Sequence, residues 1–330
     1  MKNLFIVASP LQFINCIEAK NKFNTKENIL ILMYNSVENE LDKNQKLSLL
    51  NKSDWDEVIY YDQGKIPKKK RFFEQVKLIK KLKMFKYDYI FSGEDGIFNR
   101  VLFANLNHKE LFLVDDGTAT IFTYQKELDG YFNSLSFSSK LRYYRYLLLG
   151  LKFEKDLKIN FFTVYNLNNT KNISVVQNSY EFLKQKINRF EIKDTIYFLG
   201  QAVVEASWIT LEKYIDYIKR YKLANKDKKI VYIPHRSEKI TKEYKALEDK
   251  DFIIQPSKGA IEILFIEKQI YPKKIVSFIS SALFNLDKIF PKSKIESILI
   301  DYEELQPHPK KIFKECYEFF KDTNVKLIKL

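Results

Sequence analysis

One feature constrains this sequence more than any other: an alternation of element types that runs through it twice. Short apolar runs rich in β-branched and aromatic residues occur at Leu4–Ala8, Ile29–Tyr34, Glu57–Tyr61, Tyr87–Phe91 and Leu111–Val114. Between them lie segments of helical periodicity, at Leu11–Phe23, Glu38–Leu50, Phe72–Phe85 and Phe98–Leu106. Strand, helix, strand calls for a parallel sheet, because parallel neighbours need a crossover and cannot share a tight turn. Leu141–Leu151 then reads as a buried helix and Phe161–Tyr165 as one more strand, before a polar loop, "NLNNTKN". A second series follows. Its strands are Thr195–Leu199, Ile230–Ile233, Phe252–Ile254, Ile275–Phe278, Ile298–Ile300 and Lys326–Leu330. Its helices are Trp208–Leu223, Glu238–Leu247, Ile261–Gln269, Ala282–Phe290 and Pro309–Phe320. The expected class is α/β, with two doubly wound Rossmann-like domains over residues 1–170 and 171–330. A chain of 330 residues is also too long for one ordinary core.

Open α/β sheets bind ligands beyond the carboxyl ends of their strands, so the residues that follow each strand matter most. After the first strand come Ser9 and Pro10, a good N-cap followed by proline at the first helical position, and then Gln12, which can face a cleft. The fourth strand ends in Ser92-Gly93-Glu94-Asp95-Gly96, and the fifth in Asp115-Asp116-Gly117-Thr118. Each acidic pair can be a turn with capping acids, or can place one carboxylate as a general base. Two adjacent acids without a nearby histidine make a poor cage for a metal ion, and none is expected.

In the second series, Gly200 marks a place where backbone can approach closely. Pro234-His235-Arg236 follows the next strand, and His235 alone of the three histidines sits at such a position. A histidine there suits an anionic oxygen or a proton transfer. Glu262 falls in the first turn of a helix, favoured by the dipole and also able to accept hydrogen bonds from a vicinal diol. Ser280 and Ser281 precede an apolar helix, where hydroxyls and free N–H groups serve as a cap or bind phosphate. The phosphate loop and dinucleotide glycine patterns are both missing from the sequence. Together these residues suit a nucleoside monophosphate, with a carboxylate available in the other domain.

Charge and cysteine content narrow the setting. The net charge of +14 attracts anions, although a lysine-rich composition spread over solvated helix faces also explains it. "KIPKKKRFF", from Lys65 to Phe73, is the densest basic run and can rest on an anionic inner membrane. It carries no nucleic-acid signature, and nucleic acid is not expected as a partner. Cys16 and Cys316 stand far apart with no metal spacing, which points to a reducing compartment. The N-terminus reads as a first strand and not as a signal peptide, and no apolar stretch approaches the roughly 18 residues of a membrane span. The expected location is the cytoplasm.

The ordered set "SPLQ", "DDGTAT", "YIPHR", "KGAIEIL" and "FISSALFNL" resembles the bacterial sialyltransferases of glycosyltransferase family 52. That family acts on lipooligosaccharide or capsule chains, and the wider group includes bacterial polysialyltransferases. The resemblance implies a GT-B-like fold and inverting, metal-independent transfer of sialic acid from CMP-sialic acid to a terminal galactose. It implies an acceptor-side first domain and a CMP-sugar-binding second domain, with no cofactor beyond the donor. Asp115 or Asp116 would be the base, and Asp116 is preferred because it is last before the flexible Gly117. His235 would contact the phosphate, Ser280 and Ser281 would hold its oxygens, and Glu262 would bind the ribose. In the family proline follows the histidine, whereas here Arg236 follows and Pro234 precedes; Arg236 would add positive charge. The alternatives are transfer of another nonulosonic acid or nucleotide sugar, and a non-catalytic, basic, membrane-associated binding protein.

Overall fold

The computed structural model describes residues 1–330 except Asn188, Arg189, Lys258, Gly259 and Asp322, and except the side chains of Leu41 and Lys186. It divides into two units, Met1–Asn178 and Ser179–Leu330. The first contains β1 (Lys2–Val7), α1 (Pro10–Lys22), β2 (Asn28–Tyr34), α2 (Glu40–Leu49), β3 (Glu57–Asp62), α3 (Lys68–Leu82) and β4 (Lys86–Ser92). It continues through α4 (Ile97–Asn105), β5 (Asn107–Val114), α5 (Ala119–Leu128), α6 (Phe137–Leu147), β6 (Asn160–Thr163) and β7 (Val175–Gln177). All its strand pairs are parallel, in the order β3-β2-β1-β4-β5-β6-β7. The order reverses between β1 and β4, and there the loops diverge and leave a crevice.

Strands β1, β2 and β6 and the carboxyl-terminal halves of β4 and β5 are buried on both faces, and the period of two separates the layers. Leu4, Ile6, Leu111 and Leu113 pack with Ile79, Leu82 and Val101 of α3 and α4. Phe5, Val7, Phe112 and Val114 pack with Phe13, Cys16 and Ala19 of α1. Helix α1 begins as its sequence suggests. Ser9 Oγ accepts the Gln12 N–H at 3.2 Å, and Gln12 Oε1 accepts the Ser9 N–H at 3.3 Å, a reciprocal capping box ahead of Pro10.

The second unit contains α7 (Glu181–Lys186), β8 (Glu191–Leu199), α8 (Leu211–Ala224), β9 (Lys229–Ile233), α9 (Lys242–Lys245), β10 (Phe252–Ile254) and α10 (Ile261–Glu267). Then come β11 (Ile270–Ser277), α11 (Ala282–Ile289), β12 (Lys294–Ile298), α12 (Lys310–Phe320) and β13 (Lys326–Ile328). The sheet order is β10-β9-β8-β11-β12-β13, again parallel and again reversing between its first and fourth strands. Cys16 and Cys316 are free and buried, one in each unit.

Four expectations change. A division after residue 170 leaves out β7, which pairs with β6 and closes the first sheet beyond the polar loop. The helix expected over Glu238–Leu247 is only α9, because the Glu238 side chain turns inward to bond tyrosines. The strand expected at Ile298–Ile300 is β12, which ends at Ile298. The helix expected to be buried at Leu141–Leu151 is α6, and one of its faces is open to solvent.

Candidate functional site

At the end of β5 the strand alternation parts the two acids. Asp115 is buried: Oδ1 accepts from Thr163 Oγ1 at 2.6 Å and Oδ2 accepts the Val164 N–H at 2.8 Å. Burial pushes its carboxyl up to about 7 despite these donors, and the charge of Asp116 adds to the rise. Asp115 therefore ties β5 to β6 and has no face toward a substrate, which corrects the expectation that either acid could serve as base. Asp116 is exposed. Its N–H donates to Thr120 Oγ1 at 3.0 Å, and its Oδ1 accepts from Ser9 Oγ at 3.3 Å. Gly117 follows at φ +64°, a left-handed turn that a side chain would strain.

Asp116 and Glu94 line the same cavity of about 240 Å³, with Gly93, Asp95, Gly96 and Thr120. The two acid-acid-glycine segments are thus neighbours on adjacent strands β4 and β5, where the sequence offered them as alternatives. Glu94 is exposed as a residue, yet desolvation by the protein around its carboxyl raises that group, and the negative charge of Asp116 raises it further. Asn99 Nδ2 donates to Glu94 Oε2 at 3.4 Å. Asp95 is engaged differently, accepting from Arg100 Nη2 at 3.2 Å. Arg100 is buried, pairs with Glu127 as well, and stacks on the Tyr131 ring.

Two residues of this corner are structural. Gln12 is buried, with Oε1 accepting the Ala8 N–H at 2.7 Å and Nε2 donating to the Gly93 carbonyl at 3.1 Å. It stitches the β1 and β4 ends together and is not available to a ligand, contrary to its expected role. Lys46, which nothing in the sequence sets apart from the other lysines, is wholly buried behind the same ends. Its Nζ donates to the Met33 carbonyl at 2.8 Å, to Asp42 Oδ2 at 2.6 Å and to the Ala8 carbonyl. Its charge acts on Glu94, opposing the rise of that carboxyl.

In the second unit, His235 lies on the loop after β9, between half-buried Pro234 and exposed Arg236. The Ser237 N–H donates to His235 Nδ1 at 3.2 Å, so the proton of the neutral ring sits on Nε2. His235 is itself exposed, yet desolvation by the protein around it and the charge of neighbouring Arg236 hold the ring below the ordinary histidine value, which keeps it mainly neutral at pH 7. The loop is anchored by Glu238, whose carboxylate accepts the His235 N–H at 2.9 Å, Tyr244 OH at 2.8 Å and Tyr232 OH. Tyr214 OH extends the network, lying 3.3 Å from Tyr232 OH and accepting the Gln201 N–H at 2.9 Å. Burial pushes Glu238 up to about 7. Gly200 belongs to this network: a Cβ there would stand 2.1 Å from Glu238 Oε2. The close approach expected at Gly200 is to a protein carboxylate, not to a ligand.

Glu262 is buried in the first turn of α10, and Asn285 Nδ2 donates to its Oε1 at 2.7 Å. Burial raises its carboxyl, and the Asn285 bond opposes this. Asn285 is four residues beyond Ser281 on α11, hence on the same helix face. That spacing is the one signal by which the sequence could have found it. Ser280 Oγ accepts the Ala282 N–H at 3.3 Å, whereas Ser281 Oγ makes no capping bond to α11. Both serines are half-buried. Lys258 and Gly259 of "KGAIEIL" lie outside the described residues. The structure therefore gathers Ser9, Glu94 and Asp116 in the first unit, and Glu262, Asn285 and the α11 start in the second.

No family model matches the chain, and no curated protein matches it in sequence. Solved structures match it in fold. The S. aureus MnaA–UDP co-structure aligns over 97% of this chain and 87% of that one, at 12% identity and a TM-score of 0.52. The UDP-GlcNAc 2-epimerase from Methanocaldococcus jannaschii aligns over 100% of this chain and 89% of that one, at 14% identity and 0.51. The GT-B domain of a sialyltransferase from Photobacterium damselae aligns over 100% of both chains, at 13% identity and 0.48. At such identities the likeness concerns architecture: the chain has a GT-B-like fold of two parallel, Rossmann-like sheets with 7 and 6 strands.

Proposed function

We propose that the chain is a nucleotide-sugar enzyme, and specifically an inverting sialyltransferase that uses CMP-sialic acid and a terminal galactose hydroxyl on a cell-surface glycan. The observation that carries this reading is the buried Glu262–Asn285 pair, one helical turn from the half-buried Ser281 at the α11 start. A carboxylate held in a shielded position accepts two hydroxyls of a ribose, and hydroxyls at a helix start bind a phosphate. The first unit takes the acceptor. Asp116 removes the proton of the attacking hydroxyl as that oxygen bonds to the anomeric carbon. The bond from that carbon to the phosphate oxygen breaks, and CMP leaves with the electron pair. Attack opposite the leaving group converts a β-linked donor into an α-sialoside.

His235 enters as a hydrogen-bond donor. Its ring is neutral at pH 7 and presents Nε2–H, so it stabilises the departing phosphate instead of protonating it from an imidazolium. A preorganised donor of this kind contributes about 3–4 kcal/mol in comparable oxyanion sites. Arg236 supplies positive charge for the phosphate or the sialic acid carboxylate. The scheme requires no metal ion.

The deciding experiment incubates the protein with a galactoside and either CMP-sialic acid or UDP-GlcNAc, and follows release of CMP or UDP together with conversion of the UDP-sugar to its C2 epimer. Turnover of CMP-sialic acid supports the proposal, and turnover of the UDP-sugar alone overturns it. That second outcome is the reading favoured by the fold shared with UDP-GlcNAc 2-epimerases, in which another nucleotide sugar is the substrate. Binding of neither CMP nor UDP in calorimetry would favour the non-catalytic, basic, membrane-associated binding protein over an enzyme of this class.

A further inference from the structure

Helix α6 carries apolar side chains on two opposite faces. Tyr143 and Tyr146 point into the first unit and are 1% and 3% exposed. Phe137, Leu141, Tyr144 and Leu148, spaced by four, three and four residues, form a stripe on the outer face with exposures of 77%, 49%, 54% and 86%. Solvating so much apolar surface in one line is costly, and such a stripe marks a contact surface. Its surroundings are basic. Arg142 and Arg145 belong to α6 and are exposed. The Arg145 guanidinium lies 4.9 Å from the Phe72 ring of α3, and Tyr146 contacts the same ring and bonds Gln75. This places the α6 stripe beside the start of α3, where Lys68, Lys69, Lys70 and Phe73 are exposed. Among the described residues no carboxylate forms a salt bridge with Lys68, Lys69, Lys70 or Arg142.

We propose that this face docks on the surface of an anionic lipid bilayer, with α6 lying in the headgroup plane and its stripe facing the acyl chains. An apolar strip rimmed by unpaired cations matches a surface that is anionic outside and apolar beneath. A second copy of the chain is a poorer occupant, because self-pairing would oppose the lysines and arginines of one patch to those of the other. Single-stranded nucleic acid would meet the charge but would leave Leu141 and Leu148 unused, since bases stack on aromatic rings. This assignment is independent of the reaction the chain catalyses.

Vesicle flotation of the full chain tests it. Vesicles of phosphatidylcholine with phosphatidylglycerol should carry the protein, and vesicles of phosphatidylcholine alone should not. Neutralising Lys68, Lys69 and Lys70 to glutamine should weaken binding about fivefold per lysine. Leu141→Ser with Leu148→Ser should weaken it about tenfold or more for each side chain, with the net charge unchanged. A Tyr144→Trp variant should shift its emission to the blue on the anionic vesicles only. All these side chains are exposed, and far-UV circular dichroism should match that of the parent. Equal binding to both vesicle types, or leucine variants that bind like the parent, would overturn the proposal. So would RNA binding without vesicle binding, or a dimer that Leu148→Ser dissociates without vesicle binding.

Discussion

Successive side chains of a strand point to opposite faces, and at the end of β5 this separates a carboxylate that builds the protein from one that can work on a substrate. Asp115 has both oxygens bonded within the unit, whereas Asp116 lines a cavity. Under the proposed function, Asp116→Asn should lower kcat of sialyl transfer by about 10²- to 10⁴-fold while the Kd for CMP changes less than about twofold. Loss of CMP binding in that variant would argue against a base on the acceptor side. Gly117 turns the chain at φ +64° directly after this acid, so Gly117→Ala should cost about 1–2 kcal/mol, read as a lower urea midpoint. The choice of Asp116 was within reach of the sequence, because alternation leaves one outward acid at a strand end. The company of Glu94 was not, because it depends on β4 and β5 being adjacent.

Buried carboxyls fasten several elements of this fold, and they give it a directional response to pH. Asp115 and Glu238 are raised from ordinary carboxylate values to about 7, so between about pH 4 and about pH 7 the folded state holds protons that the unfolded state releases. Their contribution is fully present at the acid end and is lost as pH rises through the folded values. Asp115→Asn and Glu238→Gln should each flatten that decline, measured as urea midpoints at a series of pH values. A steeper decline in either variant would reverse the sign. Glu238 also explains why α9 is shorter than its periodicity suggests. A run from Glu238 to Leu247 has helical periodicity, but Tyr232 and Tyr244 draw the Glu238 side chain inward, and no pattern of apolar residues encodes that. β7 is not legible in the sequence, because its three residues follow a polar loop and are held by pairing with β6. The position of α6 was legible, but its orientation was not: an apolar count does not say which face lacks a partner.

Both units use the strand order 3-2-1-4-5-6, the first adding one strand, and each has its own reversal point and its own buried core. The two alternating series made that repeat legible in the sequence, since each alone accounts for a parallel sheet. Two cores of this size unfold as separable units unless joined by a large apolar interface. Calorimetry should then resolve two thermal transitions, and under the proposed function CMP should raise one of them, by an amount that grows with the logarithm of its concentration. Equal shifts of both transitions, or a single transition, would show that the units unfold together.

The two native thiols offer a practical advantage. Cys16 and Cys316 are 0% and 4% exposed, and burial raises both, Cys316 to about 11. At neutral pH neither supplies the thiolate that maleimides attack. A cysteine introduced at an exposed position of each unit would take up dye with little background from the parent chain. Distances between the units could then be followed by fluorescence energy transfer as nucleotide binds, with no need to remove a native side chain first.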